Sequence, residues 1–370
     1  MAIYLFIGLV LVAYSLVYDR LNERSTYWTY FFLMLFLFLF AGLRGLDVDR
    51  DYVMTYVDTA EHVPPFGSLF SSPIEFYKKL PHTEFSYCVL VSFLNLFCKN
   101  SAVIAALIYA AIAVPVKMRA MNRISADGTF GYVLLLYFAN LYLLQEMTQI
   151  RAGVGTAFFL LALPEIYNRN FKRFLALIII AGIFHKSMLI ALPLYFLKSD
   201  TINFKYWFGC VLFFLFLSVV HYDLVSIVTK VDLPVFSDRL REYIQLQKWH
   251  QIKMNPFNTF LMLQLVVSVL VYVYRDKIYP HFKYLYLFIK INLISILFFY
   301  VFIGVPGFAF RISDFMGIAQ LFLVSMLIYV FKPKYMAQFL IVGIAFCMLL
   351  FNLFHNHLLN PYATIFSDLL

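Results

Sequence analysis

The chain has 370 residues, of which 63% are apolar, 20% aromatic and only 13% charged, where a soluble domain carries about 25% charged residues. A soluble fold of this length has too little interior for 43 Phe and 27 Tyr, so the composition excludes cytosolic and secreted enzymes and disordered regulators, and requires lipid as solvent. The net charge of +9 reads as the cytoplasmic-loop bias of a membrane protein, with no nucleic-acid partner.

Taken in chain order, apolar runs fall at 2–18, 28–43, 85–98, 101–116, 130–147, 152–167, 174–197, 205–220, 257–274, 284–303, 314–331 and 335–354. They predict an all-α polytopic membrane protein with about 11–13 membrane helices in a single transmembrane domain over 1–370. The first run lacks a basic n-region and a small-residue cleavage site, and is read as a retained helix. Cys88, Cys98, Cys210 and Cys347 lie in or beside apolar runs without CxxC spacing, which predicts buried thiols and neither a disulfide framework nor a zinc site. No repeat of fixed period is visible.

Sidedness follows from the basic loops. Lys117–Arg123, Arg169–Arg173, Lys198–Lys205, Arg275–Lys283 and Lys332–Lys334 are placed in the cytoplasm. The loops 44–84 and 221–256 and the tail after Phe354 are placed on the opposite, extracytoplasmic side. Between Arg173 and Lys198 lie 24 residues, about 36 Å as one helix, with His185 and Lys186 near the middle, where polar groups are costly. One straight crossing would also reverse every later basic loop. Both points predict a short helical hairpin with His185 at its apex. Parity likewise predicts that 85–98 is a half-helix or lies along the outer face.

A small set of polar residues then gathers at the extracytoplasmic helix ends: Arg44, Asp47, Asp49 and Asp51; Glu146, Gln149 and Arg151; His185 and Lys186; Arg311 and Asp314. The bland expectation is that Arg44 pairs with Asp51, Arg151 with Glu146 and Arg311 with Asp314, merely fixing helix ends. The functional expectation starts from the planar guanidinium, which stays charged and grips phosphate oxygens bidentately. Several arginines in one partly dry cleft at headgroup level suit a lipid diphosphate and its developing charge. Arg239, Arg241 and Lys248 in the loop 221–256 are either an ordinary solvated surface or secondary substrate contacts. The run Asp47–Asp51 could suit a hard cation, but Arg44 and Arg50 would neutralise it, so no metal or other cofactor is expected. His355 and His357 are read as a frayed tail.

These residues resemble a known pattern. Phe40-Ala-Gly-Leu-Arg-Gly-Leu-Asp-Val-Asp-Arg-Asp-Tyr-Val-Met-Thr-Tyr56 resembles the Leu-Arg-Gly, Asp-Tyr and Tyr pattern of the EpsG family, membrane proteins related to Wzy-type polysaccharide polymerases. Met147-Thr-Gln-Ile-Arg-Ala-Gly153, Phe184-His-Lys-Ser187 and Phe310-Arg-Ile-Ser-Asp-Phe315 agree in order, and Glu84-Phe-Ser-Tyr87 is similar to the family's Glu before its next helix. The resemblance implies an integral-membrane, GT-C-like glycosyltransferase of the bacterial inner membrane. It would polymerise undecaprenyl-pyrophosphate-linked oligosaccharide repeat units on the periplasmic side, for O-antigen, capsule or exopolysaccharide, alongside a chain-length regulator and other assembly proteins. In that reading Arg151, Arg311, Arg44 and Gln149 bind the diphosphate. His185, Asp51 or Glu84 is the general base, and Arg239, Arg241, Tyr52 and Tyr56 are secondary substrate contacts. The chemistry is expected to invert the anomeric carbon without a metal. A flippase or transporter for the same lipid-linked sugar, a glycan ligase and a membrane scaffold are the alternatives.

Overall fold

A computed structural model describes residues 1–49, 51–80, 83–222, 224–225 and 254–367. Among these the chain is helical throughout, without strands. The α-helices of seven or more residues are, in chain order, α1 Ala2–Val17, α2 Glu23–Gly42, α3 Phe85–Leu94, α4 Ser101–Ile124, α5 Phe130–Tyr137, α6 Ile150–Tyr167, α7 Phe171–Phe184, α8 Phe204–Val219, α9 Thr259–Val273, α10 Leu285–Val301, α11 Pro306–Met316, α12 Ala319–Ser325 and α13 Lys334–Leu350. Among the described residues, five stretches are long and apolar enough to cross a bilayer: Ala2–Arg20, Glu23–Gly42, Ser101–Ile124, Ile150–Tyr167 and Lys334–His355. A sixth forms if α11 and the stretch Ala319–Tyr329, bent by 48°, count as one broken span. With the shorter apolar helices between them, this is a polytopic membrane protein, as the composition requires.

Two compact units divide the chain: Met1–Phe196 with Pro333–Leu370, and Leu197–Lys332. In the first, α4 packs along α6, and α2 and α7 pack on α4 and α6 respectively. Small residues set the closeness of this packing, as in other bilayer helices. A Cβ on Gly42 would stand 3.0 Å from the Leu107 Cα, so α2 and α4 approach almost backbone to backbone. The alanine stripe Ala102, Ala105, Ala106 and Ala113 of α4 is fully buried. Asn22 caps α2 by accepting the Ser25 N–H at 2.8 Å, supplying one of the helix's orphan donors with a partner.

In the second unit, α10 is apolar around its circumference and buried along most of its length. Specificity there comes from polar contacts between helices: the Asn292 amide donates to Gln264 O at 3.1 Å and Ser268 Oγ at 2.9 Å, and Ser295 Oγ donates to Ser313 O at 2.8 Å. The buried ammonium of Lys290 donates to the Lys198 carbonyl.

The hairpin predicted around His185 is present. α7 ends at Phe184, His185 is extended at φ −151° and ψ 107°, and Lys186–Phe196 returns as a 3-10 helix. Its two far ends are tied together, with Arg169 Nη1 donating to Tyr195 O at 3.0 Å and Tyr195 Oη donating back to Arg169 O at 2.8 Å. The ten-residue α3 spans only about 15 Å, which agrees with the half-helix expected of 85–98.

Two expectations are corrected. Lys117 is not in a loop: α4 continues to Ile124 and buries Lys117 completely. The segment after α13 is not a frayed tail. Gly45 N–H donates to Ala363 O at 2.8 Å, Ile365 N–H to Leu43 O at 3.0 Å and Asn360 N–H to Val48 O at 2.9 Å. The Tyr362 ring also stacks on Phe40, with centroids 4.1 Å apart. Unpaired backbone groups of the irregular loop 43–48 need partners once they leave water, and the returning tail supplies them.

Candidate functional site

Among the described residues, the first unit brings together three buried or partly buried cation–carboxylate clusters, two of them built from residues distant in sequence. The first centres on Glu84, at the N-cap of α3. Its Oε1 lies 2.7 Å from His185 Nδ1, and its Oε2 accepts from Arg151 Nη1. The Arg151 guanidinium lies over the Tyr56 ring, 5.3 Å from the centroid. Tyr56 in turn begins an aromatic series through Tyr87 and Tyr109 to Phe184, with successive centroids at 5.2, 5.8 and 5.6 Å. Against an ionised carboxylate, which only accepts hydrogen bonds, a neutral imidazole holds its proton on Nδ1 and has Nε2 as its basic nitrogen.

The length of the neighbouring helices sets the depth of this cluster. Arg123 near the end of α4 bridges Glu165 near the end of α6, at 3.5 Å. From that level α4 runs 22 residues back to Ser101, and α6 only 15 back to Ile150. Helix α6 therefore begins about 10 Å short of α4's other end at 1.5 Å per residue. Arg151, in the first turn of α6, stands below that end, with α3, the turn Tyr52–Val57 and the His185 apex around it.

The second cluster belongs to the Leu-Arg-Gly loop. Arg44 is completely buried. Its Nε donates to Asp49 Oδ2 at 3.0 Å, its Nη1 donates to Ala41 O at 2.7 Å, and its carbon lies 4.7 Å from the Tyr52 ring centre. Asp49 Oδ1 accepts the Asp51 N–H at 3.0 Å. Burial pushes the Asp49 carboxyl up to about 6, against the opposing pull of Arg44. The tail closes the cluster from outside through the bridge between Arg44 and Thr364.

The third cluster escaped the sequence reading. Lys117 Nζ donates to Gln145 Oε1 at 2.7 Å and to Glu146, and Tyr137 Oη donates to Glu146 Oε1 at 2.8 Å. After Tyr137, α5 widens into a π-helix over Phe138–Glu146, which turns Gln145 and Glu146 toward Lys117. The missing side chain of Gly153 makes room for the carboxylate: a Cβ there would meet Glu146 Oε2 at 2.7 Å. The one signal in the sequence was a lysine inside an alanine-rich apolar run.

None of the expected bland pairs in this unit forms as proposed. Arg44 takes Asp49 in place of Asp51, because the turn after Val48 points Asp49 inward and leaves Asp51 exposed. Arg151 takes Glu84 in place of Glu146, which Lys117 already occupies. Glu84, Arg151, His185 and Tyr56 thus meet, Arg44 and Tyr52 form a neighbouring pair, and Gln149 is the partly buried residue preceding α6. Arg311 belongs to the second unit, exposed on α11. Arg239 and Arg241 lie outside the described residues.

Chemically, the Glu84 cluster combines a base with a carboxylate partner and a cation with several donors, lined by aromatic rings. No curated protein and no solved structure matches the chain. One family model does, over residues 27–364, a span that includes all three clusters and Arg311, and the chain therefore belongs to the EpsG family, a family of Wzy-type polysaccharide polymerases.

Proposed function

We propose that the protein joins undecaprenyl-pyrophosphate-linked oligosaccharide repeat units at the periplasmic face of the bacterial inner membrane, with the Glu84 cluster as its reacting centre. The observation that carries this reading is the single carboxylate of Glu84 shared between His185 and Arg151. A hydroxyl of the incoming lipid-linked unit attacks the anomeric carbon of the growing glycan. The new C–O bond forms as the bond to the carrier diphosphate breaks, and the diphosphate leaves with the electron pair. His185 Nε2 takes the hydroxyl proton. Glu84 holds the imidazole in that tautomer and offsets the charge of the imidazolium, the role carboxylates play beside catalytic histidines elsewhere. Arg151 retains further N–H donors beyond the one given to Glu84, and these meet the charge developing on the diphosphate. Direct displacement inverts the anomeric carbon. With guanidinium charge supplying the anion's partner, the reaction proceeds without a metal.

Arg44, committed to Asp49 and Ala41, acts by supporting Tyr52 and the loop.

The test is reconstitution of purified protein with lipid-linked repeat units, without an ion gradient and with a chelator present. Products of two or more units, lost in His185→Ala and Arg151→Ala, support the reading. A wild-type protein that only moves the substrate between leaflets, or transfers it solely to another acceptor, refutes it.

A further inference from the structure

Beside the Leu-Arg-Gly loop lies a cavity of about 620 Å³ with a mixed polar and apolar lining. Its walls come from the loop and turn (Leu46, Val57, Ala60, Glu61), from the connection after α3 and the first turn of α4 (Asn95 and Cys98 to Val103) and from the tail (Ile365, Phe366). We propose that this cavity is a glycan subsite, holding the part of the growing sugar chain that lies beyond the reacting unit. The proposal rests on the polymerase reading above and names what that reading leaves open, where the polymer goes.

The chemistry of the walls selects the ligand. One carboxylate (Glu61), one ammonium (Lys99), two carboxamides (Asn95, Asn100) and one aromatic ring (Phe366) line the space. An anion site would concentrate cations, and a lipid-tail site would carry no such polar set. Sugars present hydroxyls that both donate and accept beside apolar C–H faces, which matches paired donors and acceptors next to a ring. Asn95 is held in one orientation, its Nδ2 donating to Ala60 O at 2.8 Å, so its placement does not depend on a ligand. The volume falls within the roughly 300–1,000 Å³ of small-molecule pockets.

Position supports the same conclusion. Val57 lines the cavity, and the preceding Tyr56 lies against Arg151. Ile365 lines it, and the preceding Thr364 bridges Arg44. The walls of the cavity are therefore continuous in the chain with residues of both arginine clusters.

Glu61, Lys99 and Phe366 are exposed, so replacing them leaves the buried packing alone. The experiment uses the full-length protein carrying Glu61→Ala, Lys99→Ala and Phe366→Ala together. Two probes are used: lipid-linked repeat units, and lipid-free oligosaccharides cleaved from those same units. The variant is expected to join the first two units within about twofold of the wild-type rate, to give products at least threefold shorter, and to bind the free oligosaccharide at least tenfold more weakly. Unchanged product length with unchanged oligosaccharide binding overturns the subsite. So does inorganic diphosphate competing at the cavity as well as the oligosaccharide does, since the site would then be anionic. If the wild type joins no units, the polymerase reading fails. The oligosaccharide-binding comparison still decides whether the cavity takes sugars.

Discussion

His185 Nδ1 and Glu84 Oε1 stand 2.7 Å apart although 101 residues separate them in the chain. The contact orients the imidazole through Nδ1 and leaves Nε2 as the proposed base. Replacing Glu84 with Gln keeps the shape but removes the charge that stabilises an imidazolium. Turnover is expected to fall about 100-fold or more, within the range of general acid–base effects, with the pH–rate profile shifted because His185 loses its carboxylate. A wild-type pH–rate profile in Glu84→Gln would remove the carboxylate from this role.

Arg151 is expected to tolerate no conservative exchange. Lysine keeps the charge but not the planar fork that serves Glu84 and further acceptors together. Arg151→Lys should lower kcat about 100-fold, the scale of losing a preorganised donor, with the protein still abundant in the membrane. Measuring products of one and several units alongside protein amount separates lost chemistry from lost folding.

Lys117 and Glu146 form a pair buried in apolar surroundings, so removing one charge strands the other. Lys117→Met is expected to cost about 3–5 kcal/mol of stability, seen as a lower unfolding temperature in detergent. Lys117→Met combined with Glu146→Gln should recover most of that loss, because Gln can still accept from Tyr137. Equal destabilisation in the single and double variants would contradict the pairing.

The tail holds the Arg44 loop through few bonds. Tyr362→Phe keeps the stack on Phe40 but deletes the hydrogen bond to Phe40 O at 3.0 Å, and is expected to cost about 1 kcal/mol. Truncation after Leu358 removes Asn360, Tyr362 and Thr364 together. It should abolish polymer formation though every residue of the Glu84 cluster remains. A truncated protein with full-length products would show the clasp to be dispensable.

Asp49 gives a pH signature with a definite sign. Its carboxyl is raised from 3.8 to about 6 in the folded protein by burial, so the folded state binds the proton more tightly than the unfolded chain. The stability it contributes is complete below about pH 4 and is lost as pH rises through about 6. The stability of wild type relative to Asp49→Asn should therefore fall between those values and stay level above them. Unfolding midpoints measured across pH 4–8 check this; a difference that rises with pH would reverse the assignment.

The hairpin shows how far local reading reaches. A His-Lys pair at the centre of an apolar run is costly in lipid, and one straight crossing there would reverse every later basic loop, so the break at His185 was legible from polarity and loop charge. The ion pairs were not. Nearest-neighbour pairing in sequence suggested Arg151 with Glu146, five positions away. A carboxylate so close along the chain can still face another helix once a π-helix rotates it. The same limit hid the tail, whose apolar and amide residues look unremarkable until the loop they cover is known.

Sequence by itself determined the solvent, the helical class, the rough span boundaries and the identity of the polar residues that lipid makes expensive. These are properties of composition and of spacing along one chain segment, and lipid penalises every unpaired backbone group without regard to tertiary context. Which cation met which carboxylate was decided only by tertiary structure. Partners 29, 67 and 101 residues apart are brought together by helix length, helix register and close packing at small residues. No local pattern carries that information, because the energy of a buried charge depends on what surrounds it in space.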